Sequence, residues 1–387
     1  VMRSINRTAI LEHIRDNGKS SRVIIAKDLN LSLPSVVRII DELEKEKLVR
    51  YSGDYEDSGG RKRPLIEFNT EENITLGLDL GGTKVYACVI DLSGKTLYEK
   101  YVPVHNTKSD GSYELVVSLI EEMLVFAETL NKTIRGISLG VPGVTSHRKG
   151  EVVFAPSLEW TNMPLKNMLE TRFKMPVIVE NDVNMAALGE MWYGHGRKRN
   201  NIVLIAMGTG LGAGLIVDGC IYRGANEAAG ELGYLILEKE ELNRAYPLFG
   251  PLEYAIAGTG LGLQAKEMQR ELTEGDESEE YTAKSVFEAY ERKEEWALTI
   301  IDNFIDKLSM AIIAACAVID PEVVILSGGV MNSAQFMIDE IQSKVAGKLP
   351  AQIPIVISQL KAKATILGGA VSLIHQTADY CIIRSMY

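Results

Sequence analysis

The chain has 387 residues, 46% of them hydrophobic and 24% charged, which is long enough for two or three packed domains and too apolar for a disordered or fibrous protein. Its formal net charge of −11 excludes a protein coated with nucleic acid along its whole length. The charge is uneven, however: residues 1–70 hold 13 Lys and Arg against 11 Asp and Glu, so any contact with a phosphate backbone falls to that segment. The longest nearly apolar run, 308–319, is shorter than the ~20 residues of a membrane-spanning helix. No signal-like segment opens the chain, and the expectation is a soluble cytoplasmic protein with no membrane partner. Cys88, Cys220, Cys316 and Cys381 have neither metal-site spacing nor a disulfide framework and read as reduced core residues.

Helical patterns run over 6–17, 21–29 and 33–47. Ile10 and Ile14 share one face of the first, and Val36, Ile39, Ile40 and Leu43 one face of the third, which predicts a tri-helical core. Ser20 or Ser21 can cap the second helix, Ser32 or Leu33 begins the third, and Pro34 suits a first turn whose N–H needs no partner. The turn Asn30-Leu31-Ser32 then sets a helix-turn-helix with Pro34, Ser35 and Arg38 outward at the end that meets base edges. A polar stretch follows residues 48–51 and leads to Arg61-Lys62-Arg63-Pro64, predicting two strands with the cations Arg61, Lys62 and Arg63 at their loop. That is a winged helix for double-stranded operator DNA. The alternative is a helical dimerisation module with a solvated basic loop; agreement between helix spacing and basic wing favours DNA.

A domain boundary is expected near 70–73. Beyond it the pattern alternates with period two in Ile74, Leu76, Leu78 and Leu80, turns at Gly81-Gly82, and alternates again in Val85, Ala87 and Val89, a β-hairpin. Its turn, Asp79 to Lys84, offers backbone N–H groups, a hydroxyl, a cation and a carboxylate suited to an anion and Mg²⁺. A Gly-Gly hairpin taken alone is weak evidence for such a site and is better read as an ordinary tight turn. A second hairpin turns through Gly208-Thr209-Gly210-Leu211-Gly212, and a third glycine turn, Ser327-Gly328-Gly329, follows a buried strand and precedes a helix expected from Ser333. Between them, Val177 to Glu180 reads as a buried strand entering a helix expected over 185–193. Asp182 or Asn184 could cap that helix, or Asp182 could accept a proton from a substrate hydroxyl. Glycines 140 and 143 flank another turn. Arg197-Lys198-Arg199 reads as a solvated connection, Trp160 as packing, the acidic stretch 271–280 as a loop or helix end, and no internal repeat is evident.

Together, Asp79-Leu80-Gly81-Gly82-Thr83-Lys84, Gly140-Val141-Pro142-Gly143, Glu180-Asn181-Asp182-Val183-Asn184, Gly208 to Gly214, Gly230-Glu231-Leu232-Gly233 and Ser327-Gly328-Gly329 resemble the ROK family of repressors, open reading frames and kinases, in the family's order. The resemblance implies an α/β fold of two actin- or hexokinase-like (ribonuclease H-like) lobes behind the winged helix. It divides the chain into residues 1–70, a first lobe over 74–182 with a C-terminal helix about 367–387, and a second lobe over 183–366. It further implies ATP and phosphate contacts at Asp79, Gly81, Gly82, Thr83, Lys84, Gly208, Thr209, Gly210, Gly328 and Gly329, with ATP and Mg²⁺ as cofactors. It implies sugar contacts at Gly143, Ser157, Asn181, Asp182, Glu231 and Tyr234, and Asp182 as catalytic base. Many members hold a structural zinc with one His and three Cys; here those positions are Tyr234, Arg244, Tyr246 and Pro251, so no zinc or other metal site is expected.

Two functions follow from the resemblance. A sugar-responsive repressor of carbohydrate genes would act as a homodimer or larger homo-oligomer, bind operator DNA and take a hexose or amino-sugar effector. An ATP-dependent hexose or N-acetylhexosamine kinase would use Asp182 as its base. The winged helix favours the first and the intact glycine turns the second.

Overall fold

The computed structural model describes residues 2–57, 62–104, 109–246, 250–272 and 281–375. Arg61, Cys381 and most of the acidic stretch lie outside them. Helices α1 (Met2–Asn17), α2 (Arg22–Asp28) and α3 (Leu33–Lys45) close on Ile10, Ile14, Ile25, Val36, Ile39, Ile40 and Leu43, all buried. The Ser21 side chain accepts the N–H of Ile24 and caps α2; Ser32 accepts that of Ser35 and caps α3, with Pro34 in the first turn. α3 stops short of the expected end because Lys47 adopts a left-handed φ of 59°. β1 (Val49–Asp57) and β2 (Lys62–Phe68) pair antiparallel as the wing.

The remainder contains two five-stranded sheets of one plan. The first is built from β3 (Asn73–Leu80), β4 (Lys84–Asp91) and β5 (Thr96–Pro103), then α4 (Ser109–Glu128) and β6 (Thr133–Val141). A small sheet of β7 (Val144–Ser146), β8 (Glu151–Ala155) and β9 (Trp160–Met163) follows, then α5 (Leu165–Phe173) and β10 (Val177–Asn181). α6 (Asp182–Tyr193) leads to the second sheet through β11 (Ile202–Met207), β12 (Leu211–Val217) and β13 (Cys220–Ile221). Helices α7 (Pro251–Ile256), α8 (Gly258–Leu272), α9 (Ala283–Glu291) and α10 (Glu295–Ile319) intervene before β14 (Val323–Ser327). The described fold ends with α11 (Gly329–Ala334), α12 (Ile338–Val345), β15 (Ile355–Ile357) and α13 (Lys363–His375).

The orders β10-β6-β3-β4-β5 and β15-β14-β11-β12-β13 are equivalent: an antiparallel three-stranded meander whose first strand continues into two parallel strands. This is a repeat of architecture that leaves no repeat in the sequence. α6 and α13, one from the end of each unit, pack on each other between the sheets. Gly368 makes the approach possible, since a Cβ there would fall 1.8 Å from the Met185 carbonyl. Strands β11 and β14 are apolar along nearly their whole length because helices or neighbouring elements cover both faces.

Other expected boundaries move as well: α1 begins at Met2 and not at residue 6. α6 begins at Asp182, three residues before the expected Met185, because the Asn181 side chain caps it. The helix after the third glycine turn begins at Gly329 and not Ser333, with Gly328 at φ 96° turning the chain directly. The last helix spans Lys363–His375, earlier than the expected 367–387, of which 376–387 lie outside the described residues.

The expected boundary near 70–73 is a tightly bonded joint. Buried Asn73 donates from Nδ2 to the carbonyls of Lys47 and Asn69, each at 2.7 Å, and its Oδ1 accepts from Arg135 Nε at 2.7 Å. The Arg135 guanidinium also donates to the carbonyl of Glu46, the C-cap of α3. Around this joint, α1, α2, α3 and the wing share one hydrophobic core with Tyr86, Cys88 and Ile90 of β4 and with Ile366, Leu367 and Ala370 of α13. Removing the Asn73 amide strands two carbonyls and the Arg135 Nε–H. Asn73→Ala is expected to lose about 2–3 kcal/mol of stability in denaturant unfolding; a loss below about 0.5 kcal/mol would contradict this account of the joint.

Candidate ligand cleft and nucleic-acid interface

Asp79 ends β3, next to the first glycine turn, where the Gly81 N–H donates to the Lys84 carbonyl at 2.9 Å. A Cβ at Gly82 would lie 3.3 Å from the Ser157 Cβ, so this turn touches exposed Ser157. Asp182 opens α6. Its Oδ1 accepts from the Val183 N–H at 3.0 Å, its carbonyl accepts from Thr365 Oγ1 at 3.4 Å, and a Cβ at Gly140 would lie 3.5 Å from its own Cβ. Gly143, at φ 84°, is required because any Cβ would stand 2.3 Å from the Phe154 carbonyl oxygen. Its own carbonyl accepts from Asn181 Nδ2 at 3.0 Å. Asn181 is thus the N-cap in place of Asp182 or Asn184, with Oδ1 accepting from the N–H groups of Val183 and Asn184.

Across the cleft, Gly230 docks on β12 by accepting the Ala213 N–H at 2.8 Å and presents exposed Glu231. Tyr234 follows, also exposed, at 64%. The second glycine turn is anchored by Glu253, whose Oε2 accepts the Leu211 N–H at 3.0 Å, and by the Gly258 N–H, which donates to the Gly208 carbonyl at 2.8 Å. Gly328 meets the end of β11, where a Cβ would fall 2.2 Å from the Met207 carbonyl oxygen. Gly208 and Gly329 face open space, whereas Thr209 and Lys84 are exposed at the rim.

Electrostatics tie the two walls together. Asp79 is pushed up to about 8, chiefly by burial and then by the Asp182 charge, with Lys84 opposing. Burial raises Asp182 to about 6 against its backbone hydrogen bonds. Glu231 is raised by partial withdrawal from water and then by Glu253 and Asp182, and Glu253 by burial. The cleft is therefore lined by carboxylates that lack cations, acceptors suited to hydroxyl donors or to a cation with phosphates. Glu180, one residue before Asn181, is the contrast: burial works to raise it, but His147 and Arg223 outweigh burial and hold it at about 2.

The sequence did not reveal what supports these groups. Glu253 stands in the segment Gly250-Pro251-Leu252-Glu253, and its turn-holding role depends on a fold contact with Leu211. Around 234–250, where Arg244, Tyr246 and Pro251 stand at the zinc-ligand positions, buried Lys307 pairs with Glu241 at 2.5 Å and Glu238 at 3.0 Å. The Arg244 guanidinium lies 5.1 Å from the ring centre of Tyr246 and 5.0 Å from that of Tyr254. A buried ion pair and a cation between two tyrosines brace this loop.

On the N-terminal module, Pro34 and Arg38 are exposed, Ser35 is half-buried, and an open concavity of about 540 Å³ runs over α3 between Leu33 and Lys45. Lys62 is exposed at the wing, and Arg63 lies 3.9 Å from Glu56. Trp160 packs in the core of the first sheet, as expected, and Arg197 and Lys198 are solvated.

Comparison with known proteins agrees with this architecture. The ROK family model matches residues 75–377 and a winged helix-turn-helix DNA-binding model residues 3–50. The chain belongs to the ROK family, on the branch of its transcriptional regulators that carry a DNA-binding winged helix. A xylose repressor of Caldicellulosiruptor bescii is 28% identical, over 98% of each chain. The crystal structure of a ROK family transcriptional regulator, a homologue of the E. coli MLC protein, shares the fold at a TM-score of 0.82 and 24% identity, over 100% of this chain and 98% of the other. A ROK glucokinase from Streptomyces griseus in complex with glucose and AMPPNP matches 77% of this chain and 98% of its own at 25% identity and a TM-score of 0.64. Among the described residues no helix is long and apolar enough to cross a membrane.

Asp79 and Asp182 bind protons more tightly folded than unfolded, so the stability they contribute is complete below about pH 4 and is lost as pH rises through about 6 for Asp182 and about 8 for Asp79. Asp182→Asn removes the ionisation while leaving an oxygen to accept the Val183 N–H. The ligand-free variant is expected to be more stable than the parent by about 1–2 kcal/mol at pH 7 and equal to it near pH 4. A difference independent of pH in thermal unfolding would refute the assignment.

Proposed function

We propose that the protein is a sugar-responsive repressor of carbohydrate genes, in which an aldose bound between Asn181, Asp182 and Glu231 changes the grip of α3 and the wing on operator DNA. The observation that carries this reading is α6. Its N-terminus is Asp182, and its C-terminal turn holds Trp192, under whose ring lies the Arg15 guanidinium of α1 at 4.0 Å. One helix of 12 residues, about 18 Å long, spans from the cleft to the DNA-binding module. To empty an occupied operator the sugar must favour one state by ~5 kcal/mol, within reach of several hydroxyl bonds to buried or charged acceptors.

We rank D-xylose first among effectors on the strength of the similarity to xylose repressors, with the expected hexoses and amino sugars as alternatives. Two-fold operators require at least a homodimer, and such a reader of duplex DNA works in the cytoplasm. Pro34, Ser35 and Arg38 supply base contacts, and Lys62, with Arg61 and Arg63, the phosphate contacts.

A kinase reading is favoured by one observation, the elevation of Asp182 to about 6, close to what a general base needs near neutral pH. The residues present fit MgATP: Gly208 and Gly329 leave open space beside the backbone, and Asp79 is a carboxylate awaiting a cation. Asp79 would hold Mg²⁺ through water, Gly81, Gly82, Thr83, Lys84, Thr209 and Gly210 would face the phosphates, and Gly328 and Gly329 the adenosine. Bound MgATP would supply a phosphoryl group and neutralise its charge. Asp182 would take the proton from the attacking hydroxyl.

Duplexes selected from a random pool give the DNA probe. Arg38→Ala is expected to weaken binding at least tenfold, and Lys62→Ala to lower the dependence on salt concentration by about one phosphate contact. Addition of D-xylose, D-glucose or N-acetyl-D-glucosamine should release the DNA; indifference to all three and to Arg38→Ala would end this proposal. Phosphate transfer from MgATP to any of these sugars that vanishes in Asp182→Asn would establish the second activity.

Arg15→Ala tests the route. Binding of DNA without sugar should stay within about threefold, while the change produced by sugar should shrink at least fivefold, a coupling loss of about 1 kcal/mol. An unchanged response would exclude Arg15 from the path.

A further inference from the structure

Glu180 is the most enclosed charge near the cleft, with 2% of its side chain exposed. One of its oxygens, Oε1, accepts from the Asn181 N–H at 3.0 Å and from Asn184 Nδ2 at 3.2 Å. The other accepts a forked pair from Arg223, at 2.9 Å from Nε and 2.6 Å from Nη2, with His147 Nδ1 at 2.9 Å. Glu180 sits at the end of β10 in the first sheet, whereas Arg223 follows β13 at the edge of the second. The ion pair therefore crosses between the two halves of the fold beneath the cleft.

Arg223 acts with its backbone as well. Its carbonyl accepts the Ala229 N–H at 3.0 Å and closes the turn that delivers Gly230 and Glu231. Gly230 is held at φ 90° with no room for a Cβ, which would fall 1.9 Å from the Ala213 carbonyl oxygen. This turn has little freedom apart from its ends. The guanidinium fork fixes the strand end that carries Asn181 and Asp182, and the same residue's carbonyl fixes the turn that carries Glu231. A planar fork bonded to a buried carboxylate has one geometry, which a lysine cannot reproduce.

We propose that Arg223 is the positioning residue of the sugar grip: through Glu180 it sets the spacing between Asn181 and Asp182 on one wall and Glu231 on the other, without touching the sugar. This rests on the sugar-binding reading above. A pair that served stability alone would make a different prediction. Its removal as a unit, Glu180→Gln with Arg223→Met, takes away both buried charges of the pair, leaves only half-buried Glu227, 4.0 Å from Arg223 Nε, without that cation, and would restore most of both folding and binding.

The full-length protein and the variants Arg223→Met, Arg223→Lys, Glu180→Gln and the Glu180→Gln/Arg223→Met double variant are titrated calorimetrically with D-xylose, D-glucose and N-acetyl-D-glucosamine, and their unfolding midpoints are recorded. Arg223→Met should weaken the sugar that the parent binds at least thirtyfold, and Arg223→Lys should recover only part of that loss. The double variant should recover most of the lost midpoint while its affinity stays at least tenfold down, with sugar-free DNA binding within twofold throughout. A double variant that binds sugar as tightly as the parent overturns the proposal. Uptake of none of the three sugars by the parent would instead remove the functional reading. The cross-fold pairing is then judged by unfolding alone, and strictly additive midpoint shifts of the two single variants overturn it.

Discussion

The continuous core between the winged helix and the first sheet is the constraint on which the rest of this structure depends. Ile10, Ile14 and Ile40 belong to the same apolar cluster as Tyr86, Cys88 and Ile366, and the few residues between β2 and β3 are held by Asn73 and Arg135. Separating these surfaces would expose buried apolar area at roughly 25 cal/mol per Å² and strand the Asn73 bonds as well. A module fixed in this way does not swing on a tether. Any signal from the cleft must move the module together with the first sheet, or change how α6 and α13 pack between the halves. Both helices serve that purpose: α6 starts at the cleft, and both contribute to the surface on which the N-terminal helices rest. On the proposed reading, regulation would proceed by rigid-body movement, since packed interfaces switch between discrete arrangements more readily than they deform.

The cleft depends on a second choice, the near absence of cations. Asp79, Asp182, Glu231 and Glu253 raise one another or are raised by burial, and only Lys84 opposes. A site of this kind is poor at holding charge when empty and gains when hydroxyl donors or a metal-bound phosphate arrive. Glu180, a few ångströms along the same chain, receives the opposite treatment. The Arg223 guanidinium and the His147 ring hold it far below the ordinary carboxylate range, and it remains ionised as a fixed structural charge. One short segment thus contains a carboxylate committed to architecture and another left available for chemistry, and the neighbours make the difference.

What was legible in the sequence was local. Period-two alternation located β3 and β4, the glycine turn marked the hairpin of β11 and β12, and the serine and proline signals located the starts of α2 and α3, because caps, turns and alternation act over a few residues. The N-cap of α6 is Asn181 where the local pattern points to Asp182 or Asn184, since any of these three polar residues satisfies the same local rule. The two-sheet repeat could not be read at all, because each unit preserves strand order and not residue identity. The supports of the cleft, Glu253 under the second glycine turn and Lys307 under Glu241, join residues 42 and 66 positions apart. No local pattern encodes such a pairing.

The recognition helix resolves an apparent conflict in the sequence, an acidic run on an element that must approach phosphate. Asp41, Glu42 and Glu46 each receive an arginine, from Arg22 at 2.5 Å, Arg3 at 2.6 Å and Arg7 at 2.7 Å. Exposed pairs of this kind add little stability, of the order of 0–1 kcal/mol each. Their electrostatic effect is larger than their energetic one. Three negative charges on α3 are cancelled at close range by α1 and α2, so the repulsion a phosphate would meet falls off within a Debye length of ~8 Å. Among the described residues Arg38 makes no such ion pair, and it stands on the exposed face one turn from Pro34. The helix that reads as acidic in composition therefore presents Arg38 as its uncompensated leading charge, and the arginines of α1 and α2 offset the repulsion that a phosphate would meet there.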